Sequence, residues 1–185
     1  MLLKLYVFSF TICKNTILFM IFETERLVIR KLELSDLEGF FKLESNPLVL
    51  QYATGEVKTL SECEIELKDL IKKYDEEGND FWIYTIERKS DKEFIGTVAL
   101  VKDEEGNDEI GYRFIQEYWG NGYATEICES LINYCKSVGM KKLIGCVVDE
   151  NIASAKILKR FNFKEVEKFV SDDIGLPETK YELIL

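Results

Sequence analysis

Asp108-Glu109-Ile110-Gly111-Tyr112-Arg113-Phe114-Ile115, and beyond it Glu117-Tyr118-Trp119-Gly120-Asn121-Gly122-Tyr123-Ala124-Thr125-Glu126, form the stretch on which the fold turns. In the first part Ile110, Tyr112 and Phe114 share one face at a spacing of two, the period of a β-strand. After the glycines, Ala124, Ile127, Cys128, Leu131, Ile132, Cys135 and Val138 recur at three and four residues. That is the buried stripe of an amphipathic helix. A Gly-x-Gly turn between strand and helix leaves backbone N–H groups without intrahelical partners, at the positive end of the helix dipole. The motif alone has two readings: a tight turn that starts a helix, or a seat for a phosphate that the glycines let approach the backbone.

The surroundings add context. The helix is predicted to end near Val138-Gly139, and Lys141 to Val148 reads as a buried strand. Asp149 to Phe163 follows as a second helix, closing on Asn162, a residue type that tolerates left-handed φ. Upstream, Phe81 to Glu87 and Phe94 to Val101 are strong strand patterns joined by the polar turn Arg88 to Lys92. A second turn, Glu104 to Asn107, leads into the strand at 108. The middle of the chain is therefore an antiparallel meander rather than a row of βαβ units, which separates it from a dinucleotide-binding fold. Arg26 to Leu34 reads as a first strand, and Ser35-Asp36 as the cap of a helix to about Glu44 that Asn46-Pro47 breaks. Residues 48–58 fit no element. Thr59-Leu60-Ser61-Glu62 fits a capping box opening a helix to about Glu77. Lys164 to Val170 and Thr179 to Leu185 are two further strands, paired with each other.

At 185 residues the chain is long enough for one domain with a substantial core. A net charge of −10 with no offsetting basic patch argues against nucleic-acid binding, and mildly suits a cationic acceptor such as an amine. The five cysteines include no Cys-x-x-Cys pair and the chain has no histidine, so neither a structural zinc site nor a Cys-His nucleophile is expected. Cys128 and Cys135 lie on the buried helical stripe, as small core residues of a protein in a reducing, cytoplasmic setting. Residues 1–22 are an apolar, aromatic extension. Lys14-Asn15 interrupts it and no small-x-small cleavage site follows, so a signal peptide or membrane anchor is disfavoured. An upstream extension of the reading frame, or an extra strand packed on the domain, is expected instead.

Taken together, residues 23–185 resemble a GNAT-type N-acetyltransferase, of the branch that includes the ribosomal-protein N-terminal acetyltransferases. The residues that carry the likeness are Glu23-Thr24-Glu25-Arg26-Leu27-Val28-Ile29-Arg30, Glu109-Ile110-Gly111-Tyr112, Tyr118 to Glu126, and Asn151-x-x-Ser154 ending in Asn162-Phe163. They cover nearly the whole chain in the family's order. Two positions depart from the pattern: Glu117 stands where the phosphate loop usually opens with Arg or Gln, and Asn162 replaces the usual Gly before the closing Phe. The resemblance implies an α+β fold of three layers: a mixed, mostly antiparallel central sheet of about seven strands, splayed in the middle and flanked by about four helices.

It also implies a site. Acetyl-CoA would be the cosubstrate, its pyrophosphate on the amides from Gly120 through Asn121, Gly122 and Tyr123 to Ala124, with the Thr125 hydroxyl in the first helical turn. The pantetheine arm would pair with the main chain of Phe114 and Ile115, opposite the strand Lys141 to Val148; both residues read equally as plain core. Asn151 would contact the pantetheine and Ser154 would sit near the departing thiolate, although by spacing alone one is an N-cap and the other a small residue on the same helical face. Many members carry a Tyr one turn further on as general acid, and here that place is Leu158. Glu109 is the best-placed carboxylate for a base acting through water; its other reading is a solvated residue after a turn. Tyr52, Trp82 and Tyr84 would line an acceptor pocket or pack in the core. The expected activity is transfer of an acetyl group to a primary amine, of a protein or peptide N-terminus or of a small molecule, by direct attack in a ternary complex. The competing function is a non-catalytic acyl-CoA sensor or scaffold. No metal and no membrane is expected, and the chain would be a monomer or a homodimer.

Overall fold

In the computed structural model, residues 20–53, 55–172 and 174–185 are described. The sheet begins with β1 (Met20–Glu23) and β2 (Leu27–Lys31), and its middle is the meander β3 (Phe81–Arg88), β4 (Phe94–Lys102) and β5 (Asp108–Phe114). It is completed by β6 (Lys142–Val148), β7 (Lys164–Val170) and β8 (Pro177–Ile184). The eight strands run in the order β1-β2-β3-β4-β5-β6-β8-β7, and every neighbouring pair is antiparallel except β5 and β6. One strand more than expected is present. It is β1, the end of the stretch read as an extension; residues 1–19 of that stretch lie outside the described residues.

The helices are α1 (Leu37–Glu44), the single turn α2 (Pro47–Leu50), α3 (Leu60–Lys73), α4 (Tyr123–Ser137) and α5 (Ile152–Arg160). The first three close one face of the sheet, where Phe40, Leu43, Leu50, Cys63 and Leu67 pack with Leu32, Phe94 and Ile115. The other two cover the opposite face. There Ile127, Cys128, Leu131 and Cys135 of α4 and Leu158 of α5 pack on Leu27, Ile29, Ile86, Val98 and Ile110. Of the expected stripe of α4, Ile127, Cys128, Leu131, Ile132 and Cys135 are buried and Ala124 is half-buried, whereas Val138 lies just past the helix and is exposed.

Local chemistry sets the helix ends. Thr59 and Glu62 cap α3 reciprocally, the Thr59 N–H donating to Glu62 Oε2 at 2.7 Å. Asn46 caps α2, accepting from the Leu48 N–H at 2.9 Å with Pro47 at the first helical position, so Asn46-Pro47 starts a turn of helix as well as ending α1. Asp36 stands at the N-cap of α1, as expected, but its side chain makes no cap hydrogen bond to that helix. Asp36 is instead buried and accepts from the Arg30 guanidinium at 2.7 and 2.8 Å and from the Thr85 hydroxyl at 2.9 Å. This carboxylate also accepts from the Glu33 N–H at 2.9 Å in the capping box of the preceding 3₁₀ turn, so a cation, a hydroxyl and that amide take it in place of an amide of α1. At the other end of the chain Asn162 adopts φ +66°, as the left-handed closure of α5 requires.

Candidate active site

β5 and β6 share one rung of parallel ladder, Glu109 opposite Ile144, and then part. The central sheet is therefore split from the level of Gly111 onward, and the split is where the polar residues gather. The main-chain groups that face it follow from strand parity. Ile115 donates its N–H to the Ile95 carbonyl at 3.0 Å, a hydrogen-bonded pair of the β4–β5 ladder. Such pairs alternate, so the N–H and C=O of Tyr112 and Phe114 point away from β4 and into the gap. The Phe114 carbonyl accepts from the Trp119 indole at 2.8 Å, leaving its N–H. Ile115 is different: its carbonyl also accepts, from the Tyr118 N–H at 2.9 Å, and its side chain is buried in the core beneath α1 to α3. Both of its main-chain groups are already engaged.

At the end of β5 the chain makes a 3₁₀ turn, Gln116–Tyr118, and then the Gly-x-Gly bend. Gly120 and Gly122 have φ of +76° and +80°, values an L side chain disfavours, and Gly122 is the N-cap of α4. The bend leaves the N–H groups from Gly120 to Thr125 without acceptors among the described residues. It is braced from outside. The Arg26 guanidinium donates to the Asn121 carbonyl at 3.1 Å and pairs with Glu126 at 2.6 and 2.7 Å, while lying 4.4 Å above the centre of the Tyr123 ring. The Asn121 side chain donates to the Tyr118 and Trp119 carbonyls at 3.0 and 3.2 Å. Burial alone would raise the Glu126 carboxyl, but the Thr24 hydroxyl and the Arg26 amide and guanidinium outweigh it and hold it below the usual range. Asn121 thus stitches the bend, and Tyr123 is buried against Phe114, so each offers a ligand its main chain only. Glu117 is exposed and lines a separate hollow with Arg30, Lys42 and Lys92.

Two cavities meet here. One of about 680 Å³ runs from the bend along the N-terminus of α5 and is lined by Phe114, Gly120, Gly122, Ala124, Thr125 and Ile157, among others. The other, of about 270 Å³, lies in the split and is lined by Thr97, Ala99, Glu109, Gly111, Cys146 and Leu158, among others. The residues common to both are Tyr52, Ala53, Tyr112, Arg113, Asn151 and Ser154, which make the throat between them. Asn151 is the N-cap of α5, its Oδ1 accepting from the Ser154 N–H at 3.2 Å, and it lines both cavities as well. Glu109 is half-buried at the vertex of the split. Burial pushes its carboxyl above the usual glutamate range, and the proximity of Cys146 offsets this only in part. Trp82 and Tyr84 line neither cavity; they stack with Tyr74, with ring centres 6.0 to 6.2 Å apart, on the α4 side of the sheet.

Sequence reasoning missed Arg113 and the side chain of Tyr112. Arg113 is held at the throat by Glu44, a fully buried carboxylate of α1 that lies 2.8 Å from its guanidinium and 3.3 Å from Lys58. Glu44 sits among the apolar residues of α1, at a spacing that would have flagged a buried charge. The arrangement can take an elongated anionic ligand in the larger cavity and a small polar one in the smaller, with a carboxylate of raised pKa beside the second. Among the described residues no cluster able to hold a metal ion is present, and no helix is long and apolar enough to cross a membrane.

The fold and the motif have known counterparts. Residues 26–164 match the model of the acetyltransferase (GNAT) domain. The uncharacterized N-acetyltransferase YoaA of Bacillus subtilis is 30% identical over 152 residues, which span 80% of this chain and 85% of that protein. Among solved structures, a GNAT-family acetyltransferase from Bacillus anthracis superposes with a TM-score of 0.75 at 22% identity, covering 90% of this chain and 98% of that one. RimL, a ribosomal L7/L12 α-N-protein acetyltransferase solved in complex with coenzyme A, superposes with a TM-score of 0.76 at 17% identity and the same coverage. With three quarters of its length inside the family model and a relative at this identity, the chain belongs to the GNAT acetyltransferase domain family and is by that membership an acyltransferase.

Proposed function

We propose that the protein transfers the acetyl group of acetyl-CoA to a primary amine by direct attack, with both substrates bound at once. The observation that carries this is the pair of cavities joined at a throat inside a split sheet. The donor side offers unpartnered amides from Gly120 to Ala124 at a helix N-terminus, suited to a diphosphate, and the Thr125 hydroxyl beside them. The main chain of Tyr112 and the N–H of Phe114, open to the gap, suit the amide-bearing arm of the cosubstrate, with Asn151 and Ser154 at its reactive end. The acceptor side offers Glu109, whose raised pKa suits a base that takes the amine's proton directly or through one water. No protein nucleophile is needed for attack in a ternary complex. The acceptor class is a primary amine of a peptide N-terminus or of a small molecule. The likeness to RimL favours a peptide N-terminus, and a cavity of about 270 Å³ suits one terminal residue of it.

The test is thiol release from acetyl-CoA against a panel of N-terminal peptides, polyamines, aminoglycosides and amino acids, with thermal shift by acetyl-CoA, CoA and ATP alongside. Stabilisation by the two coenzyme A species, with amine-dependent thiol release, is expected. Stabilisation without release for any amine would return the chain to a sensor or scaffold role, and absence of stabilisation would remove the acyl-CoA reading.

A further inference from the structure

We propose that the Tyr112 hydroxyl donates a hydrogen bond to the departing sulfur of the acyl donor, acting with Ser154 where α5 presents only Leu158. The inference rests on the acyl-CoA reading of the cavities and adds a residue to it. Tyr112 lines both cavities, and so does Ser154, so the two residues stand together at the throat through which a thioester in the larger cavity would meet an amine in the smaller. The Tyr112 hydroxyl is buried and, among the described residues, closes no hydrogen bond of good geometry. A buried hydroxyl without a partner destabilises a fold, and phenylalanine would fill the same space without that cost. Burial pushes the phenol up to about 12, which the nearby Ser154 hydroxyl offsets only in part, so it stays protonated and able to donate at neutral pH. One turn beyond Ser154, Leu158 is buried and apolar, so the helix supplies no second hydroxyl.

The step balances without any further reactant. The amine nitrogen forms a bond to the carbonyl carbon, the carbon–sulfur bond breaks, and its electron pair leaves on sulfur. The proton lost by the amine to Glu109 is matched by the one the thiolate gains. Tyr112 supplies a hydrogen bond and no net proton.

The experiment compares the full chain with its Tyr112→Phe variant. The thiol of bound CoA is titrated by its thiolate ultraviolet absorbance, which needs no acceptor, and turnover is followed with the amine that releases most thiol. The variant should bind CoA as the parent does and melt no lower. Its bound thiol should titrate about one unit higher, tenfold in thiolate population. Its kcat should fall about tenfold to a hundredfold with the KM for acetyl-CoA within about twofold. A variant whose bound thiol and kcat match the parent's would overturn the role of Tyr112 and leave the acyl-CoA reading standing. A lower melting point with an unshifted thiol would mark the hydroxyl as structural and overturn the role equally. Failure of the parent to bind CoA would overturn the site assignment and this inference together.

Discussion

Replacing Gly122 by alanine separates the bend's role in the fold from its role in binding. Gly122 has φ +80° and caps α4, and an added Cβ would meet only the Arg26 Nη2 at 3.7 Å, an ordinary contact. The cost is therefore conformational: about 1–2 kcal/mol for an L residue held in the left-handed region. For a chain of this length each kcal/mol moves the melting point by about 2–4 °C, so a fall of about 2–8 °C is expected. Gly139, at φ +88° beyond the other end of α4, has nothing within contact distance of its would-be Cβ, so Gly139→Ala carries the same backbone penalty far from the site. The two variants should melt alike. Only Gly122→Ala should rotate the amides of the bend, and each charge-assisted hydrogen bond to a diphosphate lost that way is worth about 1.5–3 kcal/mol. That is about tenfold to a hundredfold in acetyl-CoA affinity. Isothermal calorimetry with acetyl-CoA beside thermal unfolding reads both quantities. Equal affinity in the two variants, with equal melting points, would refute the phosphate role of the bend.

Three further outcomes follow from the charges. Glu109→Gln should lower kcat/KM about 10²- to 10⁴-fold and abolish the rising limb of the pH profile, since the base must lose a proton that burial makes it hold. Because its folded pKa is raised, Glu109 favours folding below the ordinary glutamate range and this contribution is lost as pH climbs through the raised value; the Gln variant should therefore melt no lower than the parent at neutral pH. Glu44→Ala strips a fully buried carboxylate from Arg113 and Lys58, which are 27% and 26% exposed. A loss of about 3 kcal/mol, at the low end for a broken buried pair because both cations reach water, should appear in chemical denaturation, and an unchanged midpoint would contradict it. Arg26→Gln should cost up to about 1 kcal/mol at neutral pH, the pair being partly exposed. Glu126 is held below its usual range, so this stability is present above that range and lost as pH falls through the depressed value; the gap between parent and variant melting curves should close in acid.

How much of this the sequence carries depends on how local each feature is. The stripe of α4, the capping box of Thr59 and Glu62, the meander and the left-handed Asn162 are written in spacing and residue type, and each forms where it was expected. The Asp36 side chain makes no cap bond to α1 because Arg30, six residues before it, and Thr85, on a strand far along the chain, claim the carboxylate. Only the fold brings Thr85 to it. α2 was illegible for the opposite reason: at four residues it is too short to show a period.

The throat lies deeper still. Which groups of β5 face the gap is settled by the hydrogen-bond parity of its ladder with β4, and the gap itself exists because β6 takes up one rung and no more. The second is a property of strands separated by a helix and a crossover. The sequence marks Ile110, Tyr112 and Phe114 as one face, and burial in a core is the reading that face alone supports. A sheet continuous at that level would tie the N–H and C=O of Tyr112 into ladder bonds with β6. The split instead puts the same residue beside Ser154, at the junction of two cavities. The chemistry expected of this chain thus rests on an omission in its sheet, and an omission in pairing has no residue pattern of its own.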